Sequence, residues 1–91
     1  MAEHVIPRDG QGFRAEVKVG NEIQFILMAT YSALGFVAEV HNAKGEKLEG
    51  GWVEENTFDA AKAKAEAMAR KKWDAIGRRE QFPSLNWKAT G

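Results

Sequence analysis

Apolar and polar side chains alternate along the first half of the chain, and a period of two is typical of β-strands with one buried face. Four stretches follow this pattern and are predicted to be strands: residues 13–19, 22–31, 35–41 and 46–53. The second stretch also carries Ile26 and Met28 on its otherwise polar side. Because its middle is apolar on both sides, it is predicted to be a central strand with both faces covered.

The turn between the first two predicted strands decides which of their residues lie opposite each other. A two-residue loop would set apolar residues opposite polar ones, because opposed residues share a face. A three-residue loop that begins at Gly20 instead places Val17 opposite Phe25. It also places Val19 opposite Ile23, so we expect this register or a bulge with the same effect.

The turn between the third and fourth predicted strands has the sequence Asn42-Ala43-Lys44-Gly45. This sequence is typical of a type I turn followed by a left-handed glycine, the common three-residue hairpin loop. The resulting register places Phe36 opposite Trp52 on one face. On the other face, it places Glu39 opposite Glu49 and His41 opposite Lys47.

A period of 3.6 predicts an amphipathic helix over residues 57–76. Asn56 or Thr57 can cap its N-terminus, and Gly77 is expected to end it. The residues predicted to face the sheet form one stripe with Trp73 at its edge: Phe58, Ala61, Ala65, Met68, Ala69 and Ile76. The alanines of this stripe allow the helix to lie close to the strands, because axis separation depends on side-chain size.

Together these elements predict an α+β fold, a four-stranded antiparallel β-meander followed by one long amphipathic helix packed on one face. The 91 residues are expected to form a single domain. Residues 1–11 are predicted to be a flexible arm and residues 12–77 the core of sheet and helix. Residues 78–91 form a tail, in which Pro83 prevents the helix from continuing.

The composition of the chain excludes several classes of protein. The chain has no cysteine, which excludes disulfides and thiolate chemistry. Hydrophobic residues make up 44% and charged residues 29%, as in ordinary globular proteins. No stretch has the pattern of a signal peptide or the length of a membrane span. We therefore expect a cytoplasmic protein without membrane association, and no motif indicates a cofactor.

His41 is expected on the outer face of the sheet, near Glu39, Glu49 and Lys47. Carboxylates beside an imidazole can perform acid–base catalysis or bind a metal ion. Mixed charges of this kind are also ordinary on exposed strands. No serine, glycine-rich loop or metal-ligand spacing adds to the group. We therefore predict a non-enzymatic protein without catalytic or metal-binding residues.

Charge divides the chain into two halves. Residues 1–59 carry five basic and ten acidic side chains, and residues 60–91 carry eight basic and three acidic ones. The residues predicted to bind nucleic acid lie near the C-terminal end of the helix: Arg70, Lys71, Lys72, Arg78 and Arg79, with Trp73 to stack on a base. Cations at this end of a helix also complement its dipole without any ligand.

A second candidate surface is apolar. The large tail residues Phe82, Leu85 and Trp87 can dock into a partner's groove or fold back over the sheet face that carries Ile26 and Met28. Left uncovered, that face would favour a protein partner or a second copy of the chain. The sequence therefore predicts these five residues to be protein-binding residues.

Two segments resemble parts of a known family. Residues 12–20, GFRAEVKVG, and residues 58–73, FDAAKAKAEAMARKKW, are similar to the first strand and last helix of double-stranded-RNA-binding domains. This resemblance implies RNA binding, although Phe58-Asp59-Ala60 stands where that family has a lysine pair. The order of sheet and helix is also similar to that of the arm-binding domains of some phage integrases.

Taken together, the residues predict a small non-enzymatic protein-binding module of adaptor or inhibitor type, which binds a protein partner or forms a homodimer. The alternative is a nucleic-acid-binding domain that uses the basic end of its helix. Short cysteine-free chains of this kind are common among the accessory proteins of phages and mobile elements.

Overall fold

The structure is a computed structural model, and it describes residues 10–90. Its elements follow in this order: β1 (Gly12–Val19), β2 (Glu22–Ser32), β3 (Gly35–Asn42), β4 (Lys47–Trp52), α1 (Phe58–Ala75) and β5 (Lys88–Thr90). The strands form one antiparallel sheet with the order β4-β3-β2-β1-β5. The predicted α+β class, an antiparallel sheet followed by one helix, is confirmed.

The sheet has five strands, whereas the sequence pattern predicts four. The additional strand, β5, lies in the tail and pairs with the start of β1, where Gly12 lies opposite Thr90 and Arg14 lies opposite Lys88. A strand of three residues is too short to show an alternation, so the sequence pattern does not reveal it. Its addition places β2 in the middle of the sheet.

The hairpin of β1 and β2 keeps the predicted pairing inside the strands but not at the turn. Val17 lies opposite Phe25, as predicted. At the turn, the predicted alternative to a three-residue loop is found: the two-residue turn is retained, a bulge in β2 absorbs one residue, and Val19 lies opposite Glu22 and not opposite Ile23. Gly20, the first residue of this turn, has a φ of 62°, which glycine adopts without strain.

The hairpin of β3 and β4 has the predicted turn but a different register. Gly45 has a φ of 86°, and its amide donates a hydrogen bond of 2.9 Å to the carbonyl of Asn42. A bulge beyond the turn then shifts β4 by one residue, so that Trp52 lies opposite Val37 and not opposite Phe36. The predicted register is therefore wrong after the bulge, and Trp52 lies on the opposite face from the predicted one.

Helix α1 has the predicted caps. The Thr57 hydroxyl accepts a hydrogen bond of 3.0 Å from the amide of Ala60, and Gly77 follows the helix with a φ of 72°. Its buried residues are Ala61, Ala65, Met68, Ala69 and Trp73. Ile76 is 53% exposed, contrary to the predicted stripe, because it lies beyond the last helical residue.

The core lies between α1 and one face of the sheet. Its largest fully buried side chains are Val17, Leu27 and Val40, one from each of the first three strands. Where the helix begins, Phe58 packs edge-on against Phe13 and Phe36, with ring centroids 5.1 and 4.9 Å apart. Each such aromatic pair contributes roughly 0.5–1.5 kcal/mol beyond the area that it buries.

The tail fills the part of this core that α1 leaves open. Phe82 is 9% exposed and packs edge-on against Trp73, with ring centroids 5.6 Å apart. The indole N–H of Trp73 donates a hydrogen bond of 3.0 Å to the carbonyl of Glu80, which holds the chain where it reverses after the helix. Leu85 and Trp87 pack against the same core. The tail is therefore part of the hydrophobic core.

Most of the predicted arm, residues 1–9, lies outside the described residues, and so does Gly91. The predicted flexibility of the arm therefore stays a prediction. Next to it, the amide of Gly10 donates a hydrogen bond of 2.8 Å to the carbonyl of Tyr31 at the end of β2. Between residues 10 and 90, no helix combines the length and the apolar character needed to cross a membrane.

The Phe82→Ala variant should lose about 3–5 kcal/mol of unfolding free energy, because it leaves a cavity beside Trp73. Urea denaturation followed by circular dichroism measures this loss. The matched control is Ile76→Ala, which removes an exposed apolar side chain and should cost less than about 1 kcal/mol. Equal losses in the two variants would contradict the assignment of the tail to the core.

Candidate functional site on the open face of the sheet

Helix α1 and the tail both pack on one face of the sheet, and we call the opposite face the open face. Side chains alternate between the two faces along each strand, so the pairing of the strands arranges the open-face residues in rows. The first row contains Thr90, Gly12, Thr30, Val37 and Trp52. The second row contains Lys88, Arg14, Met28, Glu39 and Gly50. The third row contains Glu16, Ile26, His41 and Lys47.

An apolar stripe crosses the open face diagonally from Ile26 through Met28 and Val37 to Trp52. Ile26 is only 9% exposed, whereas Met28 and Val37 are half-buried. Trp52 is 54% exposed, and its ring lies beside Gly35. An exposed indole beside other apolar groups is typical of a surface that binds protein.

The basic side of the open face lies at β1 and β5. The Glu16 carboxylate lies 3.2 Å from Arg14 and 3.4 Å from Lys18. Where the tail separates from β1, an open concavity of about 410 Å³ is lined by these three residues and by Ser84, Asn86, Lys88, Ala89 and Thr90. Its lining carries three cations and one carboxylate, so it is positively charged.

The residues predicted to surround His41 as an acid–base group lie on two different faces of the sheet. The Nε2 atom of His41 lies 3.0 Å from the Glu39 carboxylate, and Nδ1 lies 3.0 Å from the carbonyl oxygen of Gly45. Glu49 instead lies on the helix side, where its carboxylate is 3.1 Å from the Lys72 ammonium. The predicted pairing of Glu39 with Glu49 is therefore wrong, because the bulge in β4 reverses the faces. Residues 10–90 contain no group of three or more histidines or carboxylates that could hold a metal ion.

Most cations at the C-terminal end of α1 have partners within the chain. Arg70 donates a hydrogen bond of 3.0 Å to the carboxylate one turn earlier, and its guanidinium lies 4.5 Å from the ring centroid of Phe82. Lys72 is paired with Glu49. Arg78 donates a hydrogen bond of 2.8 Å to the side-chain oxygen of Gln24. These three cations are therefore already used to join α1 and the segment after it to the rest of the chain.

Trp73, the predicted stacking residue of the nucleic-acid surface, is 3% exposed and lies in the core. It has no free ring face for a base, because Phe82 and the guanidinium of Arg78 pack against it. Lys71 and Arg79 are exposed, and no ion pair among the described residues involves them. The structure therefore leaves two of the six predicted residues free to contact nucleic acid.

The five predicted protein-binding residues lie on two sides of the sheet. Ile26 and Met28 lie on the open face, whereas Phe82, Leu85 and Trp87 pack on the helix side. The alternative in which the tail covers Ile26 and Met28 is therefore wrong. Phe82, Leu85 and Trp87 therefore have a structural role, and of the five predicted residues only Ile26 and Met28 lie on the open face.

Sequence reasoning did not identify Val37 and Trp52 as members of this surface. The register expected from the sequence places Trp52 opposite Phe36, on the helix side of the sheet. The Gly50-Gly51 pair carries no side chains that would indicate a face, so alternation gives no check on β4. The glycine pair itself is the one sequence signal of an irregular strand here, and it does not tell which residue is bulged.

Comparisons with known proteins add no assignment to this site. No protein-family model, curated protein or solved structure matches the chain. The two segments that resemble double-stranded-RNA-binding domains form β1 and α1 of the structure. The RNA binding that it implies stays a prediction.

We expect Trp52→Ala to lower the unfolding free energy by less than about 1 kcal/mol, because the indole is largely exposed. Trp73→Ala is the matched comparison and should cost about 3–5 kcal/mol, since it removes a buried indole. Urea denaturation of both variants measures the difference. A large loss of stability in Trp52→Ala would show that this ring supports the fold and is not free to bind.

Proposed function

We propose that this chain is a small non-enzymatic protein-binding module, of adaptor or inhibitor type, and that the open face is its contact surface. One observation carries the proposal. The chain places its helix and its tail on the same face of the sheet, and Trp52 remains 54% exposed on the other face, at the end of an apolar stripe. Met28 and Val37 form the middle of this stripe.

The chemistry of the open face supports this proposal. Tryptophan, arginine and methionine are enriched where proteins bind each other, and tryptophan and arginine often dominate the binding energy. On the open face, Trp52, Met28 and Arg14 lie on three different strands and have charged neighbours around them. An apolar centre with a polar rim is the usual anatomy of a protein interface.

Nucleic-acid binding by the basic end of α1 is the alternative function, and it has weaker support. Three of its five cations have intramolecular partners, and Trp73 is buried. The whole chain carries 13 basic and 13 acidic side chains, whereas nucleic-acid-binding domains usually carry an excess of basic ones.

We expect Met28→Arg to raise the Kd for a purified protein partner at least about tenfold, because the new charge would be desolvated at the centre of the contact. Pull-down from the native host followed by mass spectrometry identifies the partner, and isothermal titration calorimetry with that purified partner gives the Kd. Self-association of the chain counts as partner binding in this experiment.

Ile76→Arg is the matched control, because it introduces the same charge at an exposed apolar residue away from the open face. It should leave the Kd unchanged within about twofold. The proposal fails if both variants bind the partner as tightly as the wild type. It also fails if the chain binds a dT oligonucleotide, with an affinity that falls as salt rises, and binds no protein.

A further inference from the structure

We infer that the open face binds a second copy of this chain, related by a twofold axis that runs parallel to β2. The inference rests on the proposed function and names the partner of the same surface. It follows from the strand order, from the residues that share the second row of the open face, and from the charges of those residues.

The strand order makes the open face symmetric about β2. Two strands lie on each side of it, β1 and β5 on one side and β3 and β4 on the other. A rotation of 180° about an axis parallel to β2 therefore places β1 of one copy over β3 of the other, and β5 over β4. Such an axis keeps each row over itself, as in the aligned packing of two sheets.

The second row has complementary charges on the two sides of its centre. Met28 lies on β2, with Arg14 beside it on β1 and Glu39 beside it on β3. The rotation places Met28 against Met28 and places Arg14 of each copy against Glu39 of the other. Two symmetric ion pairs therefore enclose an apolar contact. The Arg14 side chain is 44% exposed and that of Glu39 is 28% exposed, so both are accessible.

The neighbouring rows fit the same axis. In the third row, Ile26 lies against Ile26, and Glu16 lies against His41 of the other copy. In the first row, the exposed ring of Trp52 lies over Thr90, whose small side chain leaves room for it. None of the three rows places two like charges against each other.

The dimensions of the face are sufficient for a stable contact. Aligned sheets pack about 10 Å apart, a distance that side chains as long as arginine and glutamate bridge together. Four strand spacings of about 4.8 Å and a β2 length of about 36 Å give a face of at most about 700 Å². Specific protein interfaces bury roughly 600–1,000 Å² on each partner, so the face is large enough if nearly all of it takes part.

Charge reversal tests this arrangement with two single variants, Arg14→Glu and Glu39→Arg. Each variant alone should raise the dimer Kd at least about tenfold, because the twofold axis then brings like charges together twice. An equimolar mixture of the two variants should restore the wild-type Kd to within about threefold, since both contacts then join opposite charges. Sedimentation equilibrium measures all three dissociation constants.

The mixture isolates the contact between copies, because neither variant chain carries both reversals. Arg79→Glu is the control for charge, since it reverses an exposed cation outside the open face, and it should leave the dimer Kd unchanged. Circular dichroism confirms that each variant is folded. If a reversal unfolds one chain, the milder pair Arg14→Gln and Glu39→Gln replaces it, and each should weaken the dimer.

A wild-type chain that stays monomeric at millimolar concentration would overturn the inference. So would a dimer that both reversals leave intact, or one that the mixture does not restore. The proposed function fails separately, through the effect of Met28→Arg on a purified partner. If that variant loses its partner while the wild type is monomeric, the open face binds a different protein.

Discussion

One helix cannot cover five strands, and the rest of the structure depends on how the chain meets this constraint. A helix with its side chains is about 10–12 Å wide, whereas five strands span about 19 Å. The alanines of α1 let the helix lie against the sheet, and the tail fills the remaining space with Phe82, Leu85 and Trp87. Trp73 joins the two parts, because it packs against Phe82 and hydrogen-bonds the chain between them.

This arrangement places the large apolar residues of the tail on one face of the sheet and leaves the other face to its own strands. Ile26 is nearly covered there by its neighbours, but Met28 and Trp52 remain accessible. The charges of the open face are distributed around these residues in small paired groups. The surface that we propose for binding therefore results from the same packing that completes the core.

Sequence patterns predict the elements of this fold better than its registers. Alternation and helical period locate four strands and the helix, because each of them has one buried side. The bulge in β2 is predicted only as an alternative to a three-residue loop, and the position of the bulge in β4 is not predicted, since an extra residue in a strand is favoured or rejected by packing across the sheet and not by its own neighbours. β5 is too short to show an alternation of apolar and polar residues. The open face could be predicted only in part, through Ile26 and Met28, because the position of Trp52 depends on a bulge.

That bulge has a consequence for how such a chain can change during evolution. A single substitution that removed the bulge, with no residue deleted, would let the pairing of His41 with Lys47 continue as an unbroken ladder and place Trp52 opposite Phe36. Trp52 would then turn from the exterior to the space beneath the helix, and Glu49 would move the other way. A single genetic event of this kind would exchange the exterior indole of the proposed contact surface for a larger interior, without altering any other residue of the protein.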